Sequence, residues 1–202
     1  MSTPRYIYTM VNGVEVLTLE HWVLNGRDHR TDGPAWRVWE VVEGQPALIE
    51  EGWYLNGLRH RIDGPSYRCW QLDDGHPVLT RESWHLNDLF HRTDGPAYRD
   101  WKVVDGVVIL TDESWYLNDQ PHRIDGPALQ KWTVVDRNPV LVYGLWYLKG
   151  VRIHPRIIRQ PVRAIERWWL VHHSRRQRAI EESLWDSGMT VFPGFMGLLK
   201  EY

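Results

Sequence analysis

At 202 residues with a formal net charge of -2, the chain has room for one domain or one long array, and nothing in its overall charge points to nucleic acid. A single cysteine, Cys69, excludes an internal disulfide and any cysteine cluster for zinc, and fits a reducing compartment or a chain that needs no covalent staple. The opening MSTPRYIYTMVNG has no basic stretch followed by an apolar one, and no apolar run approaches a membrane span, so neither a secretory signal nor a transmembrane segment is expected.

The first element is half a unit. Residues 6–10 read as a strand, Asn12-Gly13 as a turn, and residues 15–24 as the returning strand. Residues 35–65 then show the unit whole. Residues 35–42 are rich in aromatic and β-branched side chains and predict a strand. Glu43-Gly44-Gln45-Pro46 is turn chemistry, and residues 47–55 predict the second strand. Asn56-Gly57 turns the chain again, and Asp63-Gly64-Pro65 breaks it before the next unit. Each unit is expected to be a β-hairpin followed by a linking loop of roughly ten residues.

The unit recurs at a constant interval. Trp22, Trp53, Trp84, Trp115 and Trp146 stand 31 residues apart, and so do Tyr8, Trp39, Trp70, Trp101 and Trp132. Such a period signals a stacked repeat. Leu24, Leu55, Leu86, Leu117 and Leu148 follow the first Trp column by two, which places them on its face. Leu17, Leu48, Leu79, Leu110 and Leu141 precede it by five and face the other way if the strand is regular. Stacked hairpins would align these columns into Trp and Leu ladders along a continuous core. A hairpin alone is marginal in water, so the units need their neighbours.

Two polar patterns accompany the repeat. The linking loop carries His-Arg-x-Asp-Gly-Pro, with His29, His60, His91 and His122 leading to Asp32, Asp63, Asp94 and Asp125. A catalytic pair, metal ligands or a polar staple for the loop backbone would each use these residue types. Repetition favours the staple, because a reactive centre is needed once and a structural loop in every unit. Glu20, Glu51, Glu82 and Glu113 precede the Trp column by two; Arg37, Arg68 and Arg99 precede the other aromatic column by two. In the last hairpin both change together, to Gln130 and Gly144, which predicts a contact between Arg and Glu within each hairpin.

The array is expected to end near residue 150, where Ile153 replaces the loop His and no Asp-Gly-Pro follows. This divides the chain into a repeat domain, 1–150, and a C-terminal cap and tail, 151–202. Residues 1–150 carry 15 Lys and Arg against 21 Asp and Glu, whereas residues 151–202 carry 9 against 5. Residues 161–186 have helical spacing, with Ile165, Trp168 and Trp169 on one face and Arg163, Arg167, Arg175 and Arg178 on the other. That helix would cover the open edge of the last hairpin. Its arginines are the candidate contact for a partner, a nucleic acid or an anionic membrane.

The units Trp53-Tyr54-Leu55-Asn56-Gly57 and Asp63-Gly64-Pro65 resemble MORN-type repeats, in a longer W-Y-x-N-G…H-R-x-D-G-P-A variant familiar from large DNA viruses and phages. The resemblance covers roughly residues 6–150 and departs from the common unit in its greater length. It implies an elongated sheet of successive hairpins used for scaffolding, protein contact or lipid contact, and it brings no catalytic residue. The fold expected is therefore mainly β, an antiparallel meander of about five tandem hairpins with a C-terminal α-helical segment. The function expected is a non-enzymatic scaffold or protein-interaction protein, in the cytoplasm or a virion, with no cofactor, no metal and no small-molecule substrate. Binding of nucleic acid or anionic membrane through the C-terminal arginines is the alternative.

Overall fold

The structure, a computed structural model, describes residues 2–153. β1 (Thr3–Val11) and β2 (Val14–Leu24) form the first long hairpin, and β3 (Arg27–Asp28) folds back on the end of β2. The second unit holds β4 (Trp36–Val42) and β5 (Gln45–Gly52), then a short hairpin of β6 (Tyr54–Leu55) and β7 (Leu58–Arg59). The third repeats this with β8 (Tyr67–Asp73), β9 (His76–Ser83), β10 (His85–Leu86) and β11 (Leu89–Phe90). The fourth holds β12 (Tyr98–Val104), β13 (Val107–Ser114), β14 (Tyr116–Leu117) and β15 (Gln120–Pro121). The fifth holds β16 (Leu129–Val135), β17 (Asn138–Leu148) and β18 (Val151–Ile153).

The long strands lie in sequence order in one sheet, β1-β2-β4-β5-β8-β9-β12-β13-β16-β17, with every neighbouring pair antiparallel. This is the meander that the 31-residue period predicts. Two features of the unit differ from the expectation. The linking segment opens with a hairpin of its own, closed by Asn56-Gly57 and its equivalents. Val151–Ile153 likewise complete the last short hairpin instead of following the array. Among the described residues there is no helix; the helix expected over 161–186 lies outside them.

Turn chemistry sets the hairpins. Asn12-Gly13, Glu43-Gly44, Asp74-Gly75, Asp105-Gly106 and Asp136-Arg137 close the long ones, with positive φ at both residues of every pair. That is the type I′ geometry, whose twist matches the flanking strands and which Asn-Gly and Asp-Gly adopt most readily. Arg137, at φ 62°, stands where the other four turns have glycine, and its guanidinium pairs with Asp105 of the preceding hairpin at 2.8 Å.

Every long hairpin also carries a bulge at the same place. Arg37 faces Glu51 and Trp39 faces Leu48, so β5 holds one residue more than β4 between these rungs. The extra positions are Thr18, Ile49, Thr80, Thr111 and Val142. Three of them are threonines whose hydroxyls donate to the carbonyl of Ile7, Cys69 or Asp100 on the facing strand, at 3.2–3.3 Å. A bulge inverts the alternation of a strand. Leu48 thereby joins Trp39, Arg37 and Glu51 on one face, which corrects the expectation that the Leu17 column points away.

The core is thinner than the columns suggest. Ala35, Ala97, Ala128, Pro34, Pro96 and Ser66 are the fully enclosed residues, all at the end of a linking loop. The Trp column is half-buried, so it does not form a continuous core. The reason is where it sits. Each of Trp53, Trp84 and Trp115 stands at the break between a long strand and a short hairpin, and with Trp22 it is held by the loop end: its N–H donates to the carbonyl of Ala35, Ser66, Ala97 or Ala128 at 2.7–2.8 Å.

Adjacent long hairpins meet over only three rungs. At the first junction these are Leu19 with Val38, Glu20 with Arg37 and His21 with Trp36. The Glu–Arg rung is the middle one here and at the next two junctions, as Glu51 with Arg68 and Glu82 with Arg99. The fourth junction centres on Glu113 with Gln130.

Candidate functional site

The repeated loop and the glutamate column form one polar network. In the first unit Glu20 accepts from the Trp22 indole at 2.7 Å, from Arg30 at 3.0 Å and from Arg37 at 3.1 Å. Burial of this carboxylate is offset by two guanidinium groups and an indole N–H, which is what a buried charge requires. Glu51 and Glu113 occupy the same place, and Trp115 donates to Glu113 at 3.0 Å.

The strand arginines contact the preceding hairpin more closely than their own. Arg37 is 3.1 Å from Glu20 and 4.0 Å from Glu51; Arg68 is 3.1 Å from Glu51; Arg99 is 3.4 Å from Glu82 and 3.5 Å from Glu113. The intrahairpin rungs are as the sequence predicts, but the principal ion pairs cross the junctions. Arg37–Glu51 and Arg99–Glu113, two of the predicted contacts within a hairpin, are present as longer ion pairs.

Each loop arginine makes a further set of contacts. The guanidinium carbons of Arg30, Arg61, Arg92 and Arg123 lie 4.3, 3.9, 4.0 and 4.3 Å from the ring centres of Trp22, Trp53, Trp84 and Trp115. Nε of each donates to Asp32, Asp63, Asp94 or Asp125 at 2.8–2.9 Å. Nη1 reaches the carbonyl of the following proline at 3.3–3.5 Å. The aspartates are exposed, and the arginine hydrogen bond holds each carboxyl below the usual carboxylate range.

The loop histidines bind the next unit. His29 Nδ1 accepts from the Asn56 N–H, and His122 Nδ1 accepts from the Lys149 N–H, both at 3.0 Å. His60 and His91 place Nδ1 2.9 and 2.8 Å from the side-chain oxygens of Asn87 and Asn118. Burial, with Lys149 nearby, lowers the His122 pKa. Backbone bonds run alongside: the N–H groups of Arg30, Arg61, Arg92 and Arg123 donate to the carbonyls of Tyr54, His85, Tyr116 and Tyr147 in the next short hairpin.

These partners decide what the motif can do. The imidazole nitrogens and carboxylates of one loop are not paired with each other as a base and its orienting acid would be. Among the described residues no group of three or more His, Cys, Asp or Glu side chains lies together as a metal site. A groove of about 540 Å³ runs between the second and third loops, with Ile62, Asp63, Trp84, His91 and Asp94 in its walls. The arginines that the sequence offers as a contact site, Arg163, Arg167, Arg175 and Arg178, lie outside the described residues, as do the apolar residues of the same segment.

One polar pair is legible in the sequence only as a double departure from the columns. Ser66 stands where other units have Ala35, Ala97 and Ala128, and His85 where they have Tyr54, Tyr116 and Tyr147. Ser66 Oγ is 2.8 Å from His85 Nδ1 and 3.2 Å from the Ser83 carbonyl. The hydroxyl has one hydrogen for these two neighbours, and the His85 tautomer sets which of them receives it. Both residues are enclosed, and the His85 ring packs against Phe90 with centres 4.3 Å apart and planes tilted by 37°. Burial, with Arg59 nearby, lowers the His85 pKa to about 4.

Comparison of the chain with models of known protein families, with curated proteins and with solved structures gives no match. Among the described residues no helix is long and apolar enough to cross a membrane.

Proposed function

We propose that the chain is a non-enzymatic repeat scaffold of MORN-like type that binds a protein partner. The observation that carries this reading is the use of the loop chemistry: in all four loops the His side chain and the Arg backbone N–H bond the next unit's short hairpin, while the Arg and Asp side chains bond each other within the loop. Groups so committed serve the array. Stacked arrays of this kind work as extended binding surfaces. The test is His60→Ala and His91→Ala in the full chain, with partner capture from the native cell followed by crosslinking. Lower thermal stability is expected, with the same partner captured by whatever fraction stays folded. An enzymatic activity or a bound metal lost in His60→Ala, in a protein whose unfolding temperature is unchanged, overturns the reading.

A second reading rests on the sequence of residues 152–178, which hold eight Arg and one Glu. Such a segment suits phosphate groups of a nucleic acid or an anionic membrane. Replacing Arg163, Arg167, Arg175 and Arg178 with Ser separates the two readings. Salt-sensitive retention on heparin or anionic vesicles, lost in this variant while protein capture persists, favours the second. A viral or virion setting is supported by the repeat resemblance alone and is tested by proteomics of purified particles.

A further inference from the structure

Among the described residues the long strands at the two ends of the meander are β1 and β17, and the free side of β17 runs over residues 138–145, since 146–148 pair with β18. β17 has no charged residue from Asn138 to Leu148, and β1 has only Arg5. The internal long strands each carry at least one, down to Lys131 in β16. Exposed edges are normally protected by charge or proline against pairing with another chain. Here the prolines, Pro4 and Pro139, stand outside residues 5–7 and 143–145, and apolar side chains are exposed: Ile7 and Met10 on β1 are 56% and 61% exposed, and Val142 and Tyr143 on β17 are 60% and 41% exposed.

The 31-residue interval states which positions these edges offer. Each internal junction sets a member of the glutamate column against the residue 17 further on, as in Glu20 with Arg37 and Glu51 with Arg68. Among the described residues one member of each column is left over: Gly144 of the glutamate column and Tyr6 of the arginine column. The two leftover positions are both neutral. Carried forward by one unit, the register places Tyr6 of a second copy opposite Gly144, Ile7 opposite Tyr143, and Arg5 opposite Leu145. An aromatic ring set across from a strand glycine covers the backbone that the glycine exposes. A glutamate at 144 would instead have to be buried against a tyrosine.

We infer that the chain associates with itself head to tail, with β17 of one copy pairing antiparallel to β1 of the next in the register of the internal junctions. This goes beyond the scaffold reading and does not depend on it. The contact is heterologous, so it propagates into an open filament unless the rotation closes it into a ring.

The test is sedimentation velocity of the full chain across a wide concentration range. Mass should rise with concentration and pass beyond the dimer. Ile7→Lys blocks the head and Tyr143→Lys blocks the tail, both at exposed positions. Each variant alone should lose association, and an equimolar mixture should give a heterodimer and nothing larger. A native chain that is monomeric at every concentration overturns the inference, as it would if residues 154–202 of the same copy cover β17. A single-edge variant that still dimerises alone overturns it too, because like edges would then be pairing. Should either lysine variant fail to fold, a Cys69→Ser chain carrying Ile7→Cys and Tyr143→Cys provides a second measurement. Oxidation should give a ladder of disulfide-linked copies or a closed ring. Monomer only, or dimers from a chain with Ile7→Cys alone, overturns the head-to-tail contact.

Discussion

The guanidinium carbon of Arg61 lies 3.9 Å from the centre of the Trp53 ring and only 2.9 Å from where a β-carbon on Gly64 would be. The glycine of the Asp-Gly-Pro motif is thereby explained. Among the glycines of the structure it is not one with positive φ, so the backbone does not demand it. The arginine does. Gly33, Gly95 and Gly126 stand in the same relation to Arg30, Arg92 and Arg123, at 2.6–2.8 Å. A stacked guanidinium of this kind contributes on the order of 1–2 kcal/mol when it is partly desolvated.

Gly64→Ala should therefore destabilise the protein by about 1–3 kcal/mol, by pushing Arg61 off the indole. In an Arg61→Ala background the same change should be neutral or stabilising by up to about 1 kcal/mol, because alanine restricts the unfolded chain. Urea unfolding of the four proteins of this cycle checks it. Equal costs in both backgrounds would show that the glycine serves something other than the arginine.

The strand ion pairs should couple across the junction and not within the hairpin. Arg68 is the clearest case, because it lies 3.1 Å from Glu51, while Glu82 is its opposite residue in its own hairpin. The Glu51 side chain is 10% exposed, so its pair escapes much of the screening that weakens surface bridges. A double-mutant cycle of Arg68→Gln with Glu51→Gln should give a coupling of about 0.5–1.5 kcal/mol, and the cycle with Glu82→Gln about zero. A larger coupling to Glu82 would place the principal contact inside the hairpin.

Much of this fold was legible in the sequence, for a physical reason. Type I′ turns favour Asn, Asp and Gly, so Asn12-Gly13, Asp74-Gly75 and Asp105-Gly106 mark hairpin ends outright, and Glu43-Gly44 and Asp136-Arg137 keep one such residue each. The meander followed from those marks and the 31-residue interval. The bulge left no such mark, because the residue it inserts is a threonine, Ile49 or Val142, ordinary strand residues. A regular strand without it would put the Leu17 column on the other face. The short hairpins were hidden because two-residue strands carry no periodicity. For the candidate site, the motif was visible but its partners were not. His29 reaches Asn56, 27 residues away, and only the stacking of units brings them together.

Among the described residues, a buried indole without a hydrogen-bond partner predicts an asymmetry along the Trp column. Trp53 Nε1 is enclosed and unpaired, as is Trp36 Nε1, whereas Trp22 Nε1 donates to Glu20 at 2.7 Å. Both Trp22→Phe and Trp53→Phe remove the same volume. Trp22→Phe also leaves a buried carboxylate short of one donor, so it should cost roughly 1–2 kcal/mol more. Thermal unfolding of the two variants measures the difference. Equal costs would mean that the Trp53 indole finds an acceptor of its own in solution.

Acid should weaken the fold in two stages, the first set by His85. The unfolded imidazole takes up a proton near its usual value of 6.5, whereas burial in the folded chain lowers that value to about 4. The unfolded state therefore binds more protons between these values, and stability falls as pH falls. The contribution is complete above 6.5 and is lost by about 4, on the order of 3 kcal/mol in all. His122, also lowered by burial, acts in the same direction. The loop aspartates, held below the usual carboxylate value of 3.8 by their arginines, lose their contribution only at still lower pH. Ser66→Ala with His85→Tyr restores the pair found in the fourth unit, so it should fold. It should flatten most of the decline between pH 6.5 and 4 and leave the later stage in place. Denaturant midpoints measured across that range decide the matter. An unchanged slope in the double variant would assign the first stage to other groups.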